Sequence, residues 1–110
     1  MSFTNMKAIF AIVERGNADF IVDKAKEAGA EGATIVYGRG TGDKEFQKFF
    51  NLHIESSKEI ILIITTESQV QPIRKAIIKA GNLDEPGTGI IFTVAIDDIF
   101  GLKHRQDLNV

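Results

Sequence analysis

The chain has 110 residues, 44% of them hydrophobic, with thirteen basic and fifteen acidic side chains and a net charge of −2. That length suits one compact domain, and balanced charge without blocks of one sign argues against nucleic-acid binding or a polybasic membrane patch. The lack of cysteine removes disulfide scaffolds, thiolate metal sites and thiol catalysis, and suits a reducing compartment.

In chain order, the N-terminal stretch MSFTNMKAIF has neither a basic leader nor a small-residue cleavage site, and no apolar run exceeds strand length. A cytoplasmic protein without membrane insertion is the expectation, with residues 1–5 a disordered lead-in. KAIFAIVE, 7–14, is a nearly continuous apolar run and reads as a first strand. Ala18, Ile21, Val22, Ala25 and Ala28 then recur at helical spacing, and Gly29 supplies a left-handed cap. GATIVYGRG, 32–40, is β-branched and alternating; FNLHIES, 50–56, alternates less cleanly; KEIILIITT, 58–66, is again apolar. These give strands two and three with a hairpin-like loop between them. Ser68 and Gln71 have capping-box spacing, which sets a second helix with Pro72 in its first turn. Its stripe of Val70, Ile73, Ile77 and Ala80 ends at Gly81. GIIFTVAID, 89–97, is a fourth strand.

The order βαββαβ predicts an α+β, ferredoxin-like sandwich: a four-stranded antiparallel sheet with two helices on one face. EAGAEGATIV and KAGNLDEPGTGIIF each run from a helix end through Ala-Gly and a glycine turn into a β-branched strand. That likeness is either a trace of duplication or the common need of a helix-to-strand return for a glycine. Strands one, three and four carry apolar residues at both parities, so both sheet faces want burial. Two helices cover one, and other copies of the chain are expected to cover the second.

Two glycine clusters stand out, Gly38, Gly40 and Gly42 at the end of strand two and Gly87 and Gly89 at the start of strand four, each containing Gly-Thr-Gly. Neither has dinucleotide spacing, and the chain has no Gly-Lys for a Walker loop. They are either plain turns or a backbone cradle in which N–H groups approach an anion. Arg39 is correspondingly either an anion ligand or a solvated loop arginine.

MKAIFAIVE, GAEGATIVYGRGTGD, KEIILIIT and IIKAGNLDEPGTGIIFTVAIDDIFGLK, in register from Met6 to Lys103, resemble the P-II signal-transduction family. The resemblance implies a domain over 6–103 with a polar tail at 104–110. It implies a homotrimer that binds an adenine nucleotide between subunits and reports to a protein target through the loop at 41–57, the T-loop of the family. Gly40 and Gly42 match the glycines at the base of that loop, beside Arg39. Gly87, Thr88 and Gly89 match the phosphate-wrapping B-loop, where a side chain at Gly89 would be expected to clash with ligand. Ile12 and Ile64 match the residues that pack on the base, and Lys103 matches a basic residue that reaches the neighbour's cleft. The chain departs from the family where Ile90 replaces a B-loop lysine, Gly101 replaces an arginine, and Asp43 and Lys44 replace basic and glutamine residues. AMP or ADP is therefore implied ahead of ATP. The loop is short and has no tyrosine, which leaves no group for uridylylation.

Phe46, Phe49 and Phe50 either fold back as packing or form a partner-docking patch. His53 and His104 have no second ligand at metal spacing, so no metal site is expected. No catalytic triad or carboxylate pair is recognisable from spacing. A small ferredoxin-fold enzyme, with Arg39 and Asn82 as its loosely suggestive pair, and a ligand-free structural trimer are the alternatives to a regulator.

Overall fold

The computed structural model describes residues 5–41 and 57–102. The elements are β1 (Met6–Glu14), α1 (Ala18–Glu27), β2 (Thr34–Arg39), β3 (Ser57–Thr66), α2 (Glu67–Gly81) and β4 (Gly89–Ala95). The sheet runs β2-β3-β1-β4, and every neighbouring pair is antiparallel. The expected ferredoxin-like sandwich is present. Each βαβ unit straddles a strand of the other, which interlocks the two halves.

The pleat divides the apolar residues between two faces. Ile9, Ala11 and Val13 of β1, with Ile61 and Ile63 of β3, point toward the helices and are buried. They form one core with Ile21, Val22 and Ala25 of α1 and Val70, Ile73 and Ile77 of α2. Burying each large aliphatic side chain contributes roughly 1.5–3 kcal/mol. The register puts Phe10 opposite Leu62 and Phe92, and Ile12 opposite Ile60 and Ile90, on the face away from the helices. That face is bare: Val36, Ile90, Phe92 and Val94 are 48%, 58%, 42% and 43% exposed. Phe10 and Phe92 stack there at 5.1 Å between ring centroids.

Both helix starts differ from what side-chain caps alone predict. The second helix begins at Glu67 with Thr66 as its N-cap, and no side chain caps it. Ser68 is therefore inside the first turn, its hydroxyl 3.2 Å from that of Thr66, and Pro72 lies in the second turn rather than the first. The reason is that β3 passes into α2 with no loop, and the Asn5 carbonyl accepts the Glu67 N–H at 2.9 Å. In α1 the N-cap is Asn17, again without a side-chain cap bond. The orphan N–H groups there are met from afar. Gly16 and Ala18 donate to Oε1 of Glu59 on β3, at 2.7 and 3.0 Å. Glu59 is only 7% exposed, and its charge sits where a helix dipole favours an anion.

The C-terminal ends follow expectation. Gly29 takes φ +123 one residue beyond the α1 cap, and Asn82 closes α2 in the left-handed conformation at φ 56. Tyr37, on β2, is exposed beneath the Arg15 guanidinium.

Candidate functional site at one end of the sheet

The α2–β4 turn is built largely from its own backbone. Leu83 N–H donates to Ile78 O and Glu85 N–H to Asn82 O, each at 3.0 Å. The Thr88 hydroxyl lies 2.9 Å from both the Asn82 and Glu85 carbonyls and latches the turn closed. The Gly87 and Thr88 N–H groups have no partner among the described residues, which leaves them as donors for a ligand.

The two glycines of this turn are needed for different reasons. Gly89 has φ +152, and a Cβ there would stand 2.5 Å from the Ile12 carbonyl oxygen and 3.2 Å from Val13 Cγ1. It is glycine because β4 must close on β1, so the clash expected with a ligand at this position arises first with the chain itself. Gly87 has φ +79 and open space where a Cβ would point.

On the bare sheet face, Gly87 and Gly89 join Ile12, Ile90 and Lys58 around a cleft of about 340 Å³. That volume lies in the range of small-molecule sites, which is about 300–1,000 Å³. Ile12 and Ile90 offer an apolar floor, the turn offers backbone donors, and Lys58 offers an ammonium. Such a lining suits a molecule with a flat apolar part and an anionic part.

Arg39 ends β2 at the same end of the sheet, opposite Ser57, with Gly40 directly after it. It lies on the far edge strand, three strand spacings or about 14 Å from the β4 edge. Ile64 pairs with Ala8, whereas Ile12 pairs with Ile60. Four residues of strand, about 13 Å, therefore separate Ile64 from the cleft row within one chain. Thr88 turns its side chain to the other side of the loop, where it lines a cleft with Asn17 and Asn82. Arg39 and Asn82 lie at opposite edges of the sheet. Gly42 and Lys103 lie outside the described residues, as do His53, His104, Phe46, Phe49 and Phe50.

Lys58 is the lining residue that sequence reasoning passed over. The alternation of KEIILIITT places it on the same face as Ile60, Leu62 and Ile64, a signal usable only once the register is known. Among the described residues no group of three His, Cys, Asp or Glu could hold a metal, and no helix is long and apolar enough to cross a membrane.

A family model for the nitrogen regulatory protein P-II matches residues 6–106. The chain belongs to the P-II family. Members of that family are signalling regulators. The P-II chain described here is similar in fold to the crystal structure of Arabidopsis thaliana PII bound to citrate. The two share 21% identity at a TM-score of 0.71, over 91% of this chain and 85% of that one. No curated protein matches the P-II chain in sequence.

Proposed function

We propose that this P-II protein is a cytoplasmic homotrimer that binds an adenine nucleotide in clefts between its subunits. It would report that ligand to a protein target, such as a transporter or an enzyme of nitrogen or carbon metabolism, through the loop at 41–57. It acts by binding rather than by catalysis. The observation that carries the reading is the cleft under Gly87 and Gly89, which opens onto the exposed apolar sheet face. A second copy laid on that face would bury Ile90, Phe92 and Val94 and wall the cleft at the same time. It would also let Arg39, Gly40 and Gly42 of the T-loop base, Ile64 and Lys103 reach a ligand from a neighbouring subunit, although within one chain Arg39 and Ile64 stand apart from the cleft.

The ligand would lay its base on Ile12 and Ile90 and its phosphate on the free N–H groups of the turn and on Lys58. With isoleucine at position 90 there is one cation fewer for a third phosphate, so AMP and ADP should bind more tightly than ATP. The citrate bound to the Arabidopsis protein makes a polycarboxylate a reasonable second probe.

Light scattering should give a trimer, and a monomer at micromolar concentration would remove the walls of the site. Calorimetry with AMP, ADP, ATP and citrate on the wild type, Lys58→Ala and Gly87→Asn then tests the ligand. Asparagine tolerates positive φ and meets open space at 87, so this variant should fold while its side chain fills the cradle. Lys58→Ala should weaken binding by roughly 1.5–3 kcal/mol, as for a lost charge-assisted contact. Tight ATP binding that survives both substitutions would place the ligand elsewhere.

A further inference from the structure

The strand register brings one more charged residue to the sheet-face cleft. In the sheet β1 lies between β3 and β4, so the cleft that joins Lys58 of β3 to Gly87 and Gly89 at the start of β4 has to cross β1. Glu14 is where it crosses. Glu14 pairs with Lys58, its neighbour Val13 pairs with Gly89, and its parity is that of Ile12, the floor residue two positions earlier. Its side chain therefore belongs to the bare face, between the ammonium and the glycine turn. We propose that Glu14 is a specificity-determining residue of this cleft, which restricts the ligand to a nucleoside monophosphate. This assignment rests on the nucleotide reading above and narrows it, because Ile90 bears only on a third phosphate.

Arg15 N–H donates to the Ser57 carbonyl at 3.2 Å, so the adjacent pair, Glu14 and Lys58, is a non-hydrogen-bonded one. In such a pair the Cα atoms stand about 4.5 Å apart and the side chains rise together. Both residues are partly buried, yet neither forms an ion pair among the described residues. The carboxylate and the ammonium thus face the cleft side by side. Around them on the same face stand Gly38, Ile12, Ile60 and Ile90, none of which carries charge. Arg15 has the opposite parity, and its guanidinium lies 5.7 Å from the Tyr37 ring centroid instead. The sheet end therefore presents one positive and one negative charge, with no net charge.

One phosphate can take the Lys58 ammonium and the free N–H groups of the turn. A second phosphate adds negative charge without finding another cation in the chain, and the Glu14 carboxylate is a strand spacing or less from where it must lie. Partial burial leaves that repulsion less screened than it would be on an open surface. The penalty grows with each phosphate added.

Calorimetry in magnesium-free buffer with AMP, ADP and ATP on the full-length wild type, Glu14→Gln and Glu14→Asp tests this. The wild type should bind AMP about tenfold or more tightly than ADP. Glu14→Gln keeps the size and removes the charge, so it should tighten ADP by about tenfold and AMP by about threefold or less. A gain in affinity cannot come from a damaged fold. Glu14→Asp keeps the charge and should keep the preference for AMP. Cations supplied by a neighbouring subunit are the same in all three proteins, so the comparison isolates position 14. Equal affinities of the wild type for AMP and ADP, a preference unchanged in Glu14→Gln, or one lost in Glu14→Asp would each overturn the proposal and leave the nucleotide reading standing. A wild type that binds none of the three would overturn both.

Discussion

The two faces of the sheet are made of nearly the same residues and live in different surroundings. Toward the helices stand Ile9, Ala11, Val13, Ile61 and Ile63, all buried; away from them stand Phe10, Ile12, Ile60, Leu62, Ile64, Ile90, Phe92 and Val94, partly or largely exposed. The second set is the larger and the more aromatic. Composition therefore says that a strand wants cover, whereas topology says from where it comes: helices of the same chain on one side, and on the other, in the trimer proposed above, neighbouring copies. A bare apolar face of this kind is what the proposed association would bury.

Substitutions can break the comparison in order of effect. Ile61→Ala, on the covered face, should destabilise the fold by roughly 2–5 kcal/mol in chemical denaturation, because the buried cavity cannot collapse fully. A loss under 1 kcal/mol would mean that the helix-side core is looser than its burial implies. Glu59→Ala should cost about 1–3 kcal/mol, since it removes the acceptor for two N–H groups at the start of α1, and Glu59→Gln should recover most of that. Equal losses in the two variants would assign the effect to packing instead of capping. Phe92→Glu, on the bare face, should change the stability of the isolated chain by only about 1 kcal/mol. Its effect should appear in light scattering, as a monomer. If it unfolds the chain as severely as Ile61→Ala does, the two faces are not different in kind.

Much of this was legible in the sequence. The element order, the two-sided apolar strands and the glycine at the end of the first helix follow from periodicity and local conformational preference, which are written into neighbouring residues. The long-range terms were not. Ser68 and Gln71 had the spacing of a capping box, yet β3 hands its chain to α2 two residues earlier and makes the box redundant. Glu59 is not marked by any local pattern, because its role as the cap of α1 depends on partners more than forty residues away. Gly89 read as a ligand contact, whereas its first constraint is the Ile12 carbonyl. Lys58 was hidden for the same reason: its place beside Gly87 follows from strand order, which no local window contains.

The direct join of β3 to α2 has a mechanical consequence. With no loop at Thr66–Glu67, the strand's pleat sets the rotational phase of the helix behind it. One extra residue placed there would turn the helix by about 100° about its axis, at 3.6 residues per turn, and swing Val70, Ile73 and Ile77 away from the sheet. At this joint the chain has no freedom to change length, so a displacement of the end of β3 reaches the start of α2 with no loop between them to absorb it.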